Sequence, residues 1–410
     1  MAVLGGGAAG FFAAIACAEA NPAARVLLLE KTGKTLAKVR ISGGGRCNVT
    51  HACESAAQLL PHYPRGGKQL KAAFQRFGVA DTVAWFARRG VVLKTEADGR
   101  MFPVSNRSET IAQALEEAAR ETGVQIHLHT AAEAIERLPT GGFGLTLSGN
   151  GAAGLGQVLR VDRLLVATGG HPKTAQYDWL RHLGHAVTEP VPSLFTFNVP
   201  ESPLRELPGL SVPLARVTLA GEKLHYEGPI LVTHWGLSGP AVLKLSAFGA
   251  RRLHELQYAG TALVNWVPAH NDETLRLEMQ QYRHENGRKT VAANPLHGLP
   301  QRLWRTLTDL AGTAPETRWN ELPAKAQGRL LELLLRTPLA VRGKTTYKEE
   351  FVTCGGILLA EIDLATMQSR RVPNLFFAGE VLDIDGITGG FNFQAAWTTG
   401  YIAGQAIAAG

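Results

Sequence analysis

This 410-residue chain reads as an α/β protein, a parallel-sheet domain interrupted by an inserted β part and a smaller helical part. At the N-terminus an apolar run (Ala2–Gly5) leads through a glycine turn into a small-residue helix (Ala8–Ala20) and a second apolar run (Arg25–Glu30). Strand, turn, helix, strand is a βαβ unit, and that unit implies a parallel sheet. Near Pro190 the composition shifts to proline-punctuated β-type runs, the pattern of a small antiparallel sheet or barrel. After Tyr347 the chain returns to glycine-punctuated strands and closes with a small-residue helix, Gln394–Ala409.

Composition bounds the answer. Apolar residues make up 45% and charged residues 19%, and mean hydropathy is −0.02. Such a chain buries a large core and is not compositionally disordered. At roughly 150 residues per domain the length predicts two or three domains. Outside the N-terminus no stretch approaches the roughly 18 apolar residues of a membrane span, so no membrane partner is expected. The N-terminal segment lacks a basic leader and is broken by Gly5–Gly7 before running on into a strand, which argues against a signal peptide. Its first strand is short because the chain begins at Met1; the expectation is that its opening residues lie upstream or that the start is assigned late. Cys17, Cys47, Cys53 and Cys354 form no CxxC pair. A disulfide scaffold or structural zinc site is therefore not expected, and a reducing cytoplasm is. The thirteen histidines show no HExxH or clustered spacing, so no residue is assigned to a metal.

The formal net charge is +7, and between Arg65 and Arg107 nine Lys/Arg face three acids. A basic stretch attracts a dinucleotide, an acidic metabolite or a phosphate backbone; its plainer reading is a solvated helix face.

Along the chain, Leu70–Phe77 and Ala80–Arg89 carry helical spacing, and Ser108–Thr122 is a clearer helix with Ser108 as its cap. Val124–His129 reads as a strand, Phe143–Ser148 and Gln157–Asp162 as a hairpin or meander, and Leu164–Gly170 as a buried strand ending in a turn. The runs LFTFNV, ARVTLA, ILVTH and GTALVNWV belong to the β part. Glu273–Tyr282, Gln301–Ala311 and Ala324–Leu335 are helical. The expected boundaries are 1–189 with 341–410 for the discontinuous parallel-sheet domain, 190–271 for the β part and 272–340 for the helical part.

Gly5-Gly6-Gly7-Ala8-Ala9-Gly10 fits GxGxxG between a strand and a helix, with Glu30 twenty residues beyond the last glycine. Gly5 permits the tight turn, Gly7 lets backbone approach a pyrophosphate, and Gly10 lets helix and strand pack closely. The pyrophosphate would sit on the helix N-terminus, and Glu30 would accept hydrogen bonds from the adenosine ribose. A second match, Gly149-Asn-Gly151-Ala-Ala-Gly154, is followed by no helix. It reads as a hairpin loop, which removes a separate NAD(P)H fold and predicts that a bulky residue at Gly7 abolishes retention of the dinucleotide whereas Gly151 tolerates the same change.

From Lys38 onward the sequence resembles a bacterial flavoprotein family, HI0933-like or BaiN-like. The resemblance is carried by KVRISGGGRCNVTH (Lys38–His51), ADGRMFPVSNRS (Ala97–Ser108), GPILVTHWGLSGPAVLKLS (Gly228–Ser246) and the long segment Phe351–Gly400. With the N-terminus these cover nearly the whole chain. The resemblance implies a FAD-binding two-dinucleotide-fold (Rossmann-like) domain, split in sequence, with an inserted β-barrel and a small helical subdomain.

Residues expected at FAD follow from the motif and the resemblance together. Around the glycine turn they are Gly5, Gly7, Ala8, Ala9, Gly10, Glu30 and Lys31. In the next segment, Gly44 and Gly45 would let backbone approach a flat ring, Lys38 and Arg46 would supply positive charge, and Cys47 and Asn48 follow. Thr168 and Gly169 would close over the adenosine, and Gly379, Glu380 and Asp383 would meet the ribityl or pyrophosphate region. Gly389, Gly390, Phe391, Asn392 and Phe393 open the last helix, whose N–H groups would face the flavin's carbonyl end. Phe391 and Phe393 stand where many members have tyrosine and leucine, which removes a hydroxyl role but not the backbone contacts. His51 stands where the family usually has asparagine and is given no role.

Two residues are candidates for proton transfer. Cys47 follows Arg46, and a neighbouring cation would lower its pKa. His234 in THWG would donate near a substrate cavity. Against these stand a small residue packed by the flavin and a structural histidine. The expected activity is a FAD-dependent oxidoreductase, reducing a polarised C=C or C=O bond with electrons from NAD(P)H. Three readings stay open: a small-molecule substrate bound between the flavin and the inserted part; an RNA-modifying flavoenzyme reducing uridine in ribosomal RNA, with Phe74, Phe77 or Trp85 touching nucleic acid; and a non-catalytic flavin or nucleotide sensor.

Overall fold

The computed structural model describes residues 1–156, 158–345 and 352–410. Gln157, which opens the expected Gln157–Asp162 strand, and Phe351, which opens the long C-terminal segment, lie outside them. Two compact units emerge, Met1–Ser193 with Lys348–Gly410, and Leu194–Tyr347.

The first unit is built on five parallel strands: β1 (Ala2–Leu4), β2 (Leu27–Leu29), β3 (Gln125–His127), β4 (Leu164–Val166) and β5 (Leu375–Phe377). In space the order is β5-β4-β1-β2-β3, and Ile362–Asp363 and Gln368–Ser369 extend it antiparallel beyond β5. Ala2 pairs with Leu27 on one side and Leu164 on the other, and Leu164 pairs with Leu375. Strands covered on both faces read as unbroken apolar runs rather than alternating ones, as AVL, LLL, LLV and LFF do here.

Helix α1 (Ala8–Ala20) is buried continuously from Ala9 to Ala18, so it is apolar all round rather than amphipathic. It lies against α3 (Phe391–Ala409). A Cβ on Gly400 would stand 2.6 Å from the Ala9 carbonyl oxygen, and one on Gly404 would stand 2.4 Å from that of Ala13. Helix α2 (Ser108–Glu121) turns Ile111, Ala112, Leu115, Ala118 and Ala119 inward. Its N-cap is Arg107 with no side-chain cap, and the Ser108 hydroxyl donates to the Arg40 carbonyl at 2.5 Å. The expected Ser108 cap is thus displaced by a tertiary hydrogen bond. The expected hairpin or meander is a three-stranded antiparallel sheet of Ala131–Arg137, Phe143–Ser148 and Val158–Val161. A second small sheet (Thr50–His51, Arg100–Pro103, Leu93–Thr95) had no alternating signal to reveal it.

In the second unit seven short antiparallel strands run in the order Thr337–Arg342, Ala259–Asn265, Ser211–Leu219, His225–Val232, Gly236–Ser238, Thr196–Asn198 and Lys344–Thr345. The first and last members of this row are consecutive in the chain, separated by Gly343, whose carbonyl accepts from Asn198 N at 3.1 Å. The sheet therefore curls back on itself. Val217 and Val264 from the strands share one core with Leu303, Trp304, Trp319, Leu330 and Leu334 from the helical stretch. Among the described residues no helix is long and apolar enough to cross a membrane.

Candidate functional site

The C-terminal ends of the parallel strands carry the candidate site. In an open parallel sheet ligands bind where the strand order reverses, which here is between β1 and β4. Gly5 follows β1 with φ +110°, and a Cβ there would stand 2.4 Å from the Ala167 carbonyl oxygen. A Cβ on Gly10 would stand 2.0 Å from the Gly5 carbonyl oxygen. Gly7, the N-cap of α1, differs: a Cβ there meets nothing within 4 Å. The first intrahelical bond of α1 runs from Phe11 N to the Gly7 carbonyl at 3.0 Å. The amides of Ala8, Ala9 and Gly10 precede it, and a helix start leaves such donors without intrahelical partners and favours negative charge. Open space beside three such amides fits a diphosphate.

Glu30 reaches this turn from the end of β2. Its Oε2 accepts from Gly6 N at 2.8 Å, and its Oε1 accepts from Thr32 N and Thr32 Oγ1, both at 2.8 Å. Lys31 beside it is exposed. On the β4 side, Thr168 Oγ1 pairs with His171 Nε2 at 3.3 Å, and Gly169 has open space. Gly379 brings its α-carbon so close to α1 that a Cβ would stand 2.8 Å from that of Ala9, and its N–H donates to Thr399 Oγ1 at 2.9 Å. Glu380 accepts from Lys38 Nζ at 2.6 Å and from Thr353 N at 2.9 Å. Asp383 N donates to the Ile357 carbonyl at 2.9 Å. The fold therefore gathers residues from both ends of the chain at one rim of the sheet.

The segment Ala37–Gly45 is helical until Ser42, then breaks through Gly43, Gly44 and Gly45 at φ +59°, +68° and +80°. A Cβ on Gly44 or Gly45 would meet nothing within 4 Å. Arg46 does not supply the charge expected of it: its Nη1 donates to Glu96 Oε1 at 2.7 Å and its guanidinium lies 4.1 Å from the centre of the Phe102 ring. Cys47 is fully buried, and burial pushes its thiol up to about 12 against a weaker opposing hydrogen bond from Ser42. The expected activation of Cys47 by Arg46 is therefore absent, because the cation is spent on Glu96 while the sulfur is desolvated. Asn48, with its carbonyl 3.1 Å from Gly390 N and its amide nitrogen 3.0 Å from the Thr50 carbonyl, clamps the head of α3.

Gly390 caps α3 at φ +91°, where a Cβ would stand 2.6 Å from the Thr50 carbonyl. Phe391 stacks on both His51 (4.6 Å between ring centres) and His62 (4.3 Å), and Tyr63 Oη donates to its carbonyl at 2.7 Å. His51 Nδ1 lies 3.0 Å from the Gly389 carbonyl. Asn392 turns back to Gly386, donating to its carbonyl at 2.9 Å and accepting from its N–H at 2.8 Å. Phe393 stacks on Trp397 at 5.6 Å. Sequence reasoning missed His62, which stands in no motif, and assigned nothing to His51, which closes the Lys38–His51 segment; both come to the Gly389–Gly390 turn through the tertiary fold. Gln394 was missed too: buried, it accepts from Thr50 Oγ1 at 2.6 Å and Thr82 Oγ1 at 3.1 Å. Nearby, Asp385 is buried in an ion pair with Arg65 and accepts from Ser193 Oγ at 2.8 Å.

His234 lies in the second unit, exposed in the bend between His225–Val232 and Gly236–Ser238, and its carbonyl accepts from Arg205 Nε at 3.0 Å. Phe74, Phe77 and Trp85 are buried and offer no surface to a nucleobase. Much of the basic stretch is also engaged: Arg65 with Asp385, Arg89 with Glu19, and Arg100 with Glu96 and Asp98.

A glycine turn heading a helix at the carboxyl rim of a parallel sheet defines a Rossmann-type α/β protein. Over residues 1–406 the chain matches the family described as HI0933-like protein Rossmann domain, and it belongs to that family. It is 27% identical to the 3-dehydro-bile acid delta(4,6)-reductase of Clostridium scindens, over 99% of this chain and 98% of that one. It is 29% identical to the ribosomal RNA dihydrouridine synthase of Escherichia coli, over 98% of this chain and 96% of that one. In fold it is similar to the 3-ketosteroid delta1-dehydrogenase of Sterolibacterium denitrificans, with a TM-score of 0.54 and 13% identity over 100% and 99% of the two chains. The 3-ketosteroid-delta4-(5alpha)-dehydrogenase of Rhodococcus jostii RHA1 gives a TM-score of 0.52 at 14% identity, over 100% and 96%.

Proposed function

We propose that this chain is a FAD-dependent oxidoreductase that reduces a C=C bond conjugated to a carbonyl in a small molecule, with NAD(P)H as the electron donor. The observation that carries the cofactor assignment is the open space at Gly7 beside the leading amides of α1. Bound FAD would supply the hydride chemistry, and the protein would supply position, electrostatics and exclusion of water. Ala8, Ala9 and Gly10 would hold the diphosphate through their N–H groups, and Glu30 would exchange one of its backbone bonds for the ribose hydroxyls. Gly44 and Gly45 present backbone without side chains, which suits close approach to a flat ring. The first amides of α3 after Gly390 would stabilise negative charge at the ring's carbonyl end. His51 and His62, packed on Phe391 at that turn, are the groups we assign to holding or moving a proton there, in place of Cys47.

The substrate class draws on the relatives' chemistry. A 3-dehydro-bile acid with delta(4,6) unsaturation and the uridine that becomes dihydrouridine share a C=C bond conjugated to a carbonyl, so hydride addition leaves charge on an oxygen in both. The burial of Phe74, Phe77 and Trp85 and the ion pairs along Arg65–Arg107 support a small substrate. A second reading, uridine reduction in ribosomal RNA, is favoured by the similarity to the Escherichia coli synthase and by exposed Lys68, Lys71, Arg88 and Arg107.

The test begins with the visible spectrum of the purified protein, followed by anaerobic mixing with NADH or NADPH and then with a conjugated enone or unmodified ribosomal RNA. We expect a yellow protein, bleached by one nicotinamide and reoxidised by the enone at a rate indifferent to salt. Salt-sensitive reoxidation by RNA alone would favour the second reading. A flavin that accepts no electrons would leave a sensor, and a protein that takes up no FAD would end the proposal.

A further inference from the structure

In the second unit, three residues far from any motif converge on one point. His270 follows the strand Ala259–Asn265, Glu278 lies on the helix Asp272–Asn286, and His297 stands in the loop before Gln301–Leu310. His270 Nε2 is 3.5 Å from Glu278 Oε2, and His297 Nδ1 is 3.7 Å from Glu278 Oε1. The two imidazole centres are 4.6 Å apart, and one ligand atom from each of the three residues falls within 4.8 Å of the others. Tetrahedral zinc with bonds of about 2.0–2.1 Å spaces its ligands about 3.3–3.4 Å apart; each imidazole nitrogen lies within a few tenths of an ångström of that spacing from a different Glu278 oxygen, so Glu278 must turn to bring one oxygen to both. Glu278, 44% exposed, can close the rest by rotating.

Each segment is held independently of the cluster. Asn271 caps the Glu278 helix by accepting from Thr274 N at 2.8 Å. The loop before His297 is tied by Asn294 Nδ2 to the Thr290 carbonyl at 2.8 Å and by Trp304 Nε1 to the Val291 carbonyl at 2.7 Å. The ligands are thus presented on rigid backbone, the condition for a metal site to form without refolding. Nδ1 of His270 is buried with no hydrogen-bond partner among the described residues, while Nε2 faces Glu278. Two imidazoles and one carboxylate form a set suited to zinc.

We propose that His270, Glu278 and His297 form a zinc-binding site with water as the fourth ligand, stapling the strand end, the helix and the loop of the second unit. The proposal is independent of the flavin assignment. Its test is calorimetric titration of ZnCl2 into untagged, chelator-treated, full-length protein, alongside thermal melts with and without zinc. One equivalent should bind saturably and raise the melting temperature. His297→Ala and Glu278→Gln should each weaken binding more than about 10-fold, the loss that even an outer-shell partner causes. His270→Ala/His297→Ala should abolish both signals while circular dichroism stays native. Absence of saturable binding by the wild type overturns the site, as does undiminished binding by the double variant. Should the double variant fail to fold, Glu278→Gln decides alone, because its partly exposed side chain can change without loss of core.

Discussion

Gly7 and Gly151 occupy equivalent positions in two copies of one GxGxxG pattern and meet opposite surroundings. A Cβ on Gly7 enters open space, whereas one on Gly151 would stand 1.8 Å from the Leu128 carbonyl oxygen. The expectation that Gly151 tolerates a bulky residue is therefore wrong, because the hairpin loop is pressed against backbone that cannot yield. Gly7 is extended at φ −91° and ψ −171°, which any residue adopts. Gly7→Val should lower the melting temperature of the FAD-free protein by only a few degrees, through the poorer helix cap, and weaken FAD retention by roughly 10- to 100-fold, taking about 1–3 kcal/mol for an overpacked contact. Gly151→Val should destabilise the fold by about 3 kcal/mol or more. Equilibrium dialysis of FAD and denaturant melts of the two variants separate these outcomes.

His185 makes a second prediction at this scale. Its buried ring pairs Nδ1 with Glu361 Oε2 at 2.9 Å and Nε2 with Ser369 Oγ at 3.0 Å, while Arg371 Nη2 holds Glu361 Oε1 at 2.6 Å. Burial outweighs Glu361 and lowers the imidazole's pKa from 6.5. Between that lowered value and 6.5 the unfolded chain binds more protons than the folded one, so stability is full above pH 6.5 and falls as the pH drops. Burial pushes Glu361 up, but Arg371, the Ala186 amide and His185 together hold it below 4.5; its contribution is present above pH 4.5 and lost in more acid solution. Melting temperatures should decline from pH 7.5 to 5.5, and His185→Gln should flatten that decline even though it lowers stability overall. An unchanged slope would exclude His185 as the source.

Among the elements, the α1–α3 contact joins the first and last helices of the chain. Gly400 and Gly404 let α3 come within reach of α1 backbone, and that approach also sets Gly379 beside Ala9. Gly404→Leu should cost about 3 kcal/mol or more by overpacking. In a unit of this size that is a fall of roughly 6–12 °C in melting temperature. The helices themselves were legible from composition, because an all-apolar, small-residue helix has few alternatives to burial. Their pairing was not, since small residues permit a close approach without naming the partner. For the same reason the strand Arg100–Pro103 went unseen: its residues make sense only against Thr50–His51 and Leu93–Thr95.

For the whole molecule, the second unit carries its own hydrophobic core, including Trp266, Trp304 and Trp319. Residues 194–345 expressed alone should therefore unfold cooperatively, with an enthalpy of roughly 100 kcal/mol at about 0.7 kcal/mol per residue. A broad, non-cooperative calorimetric trace would show that this core depends on the rest of the chain. Strand–glycine–helix order and the acid at Glu30 could be read directly from the chain, because short-range sterics and apolar periodicity act between neighbours and leave their mark at fixed spacings. The direction of Arg46 toward Glu96, the desolvation of Cys47, the gathering of His51 and His62 on Phe391, and the meeting of His270, Glu278 and His297 have no such mark. Each depends on groups brought together through space, where burial and competing ion pairs settle which charges are free and which protons are held.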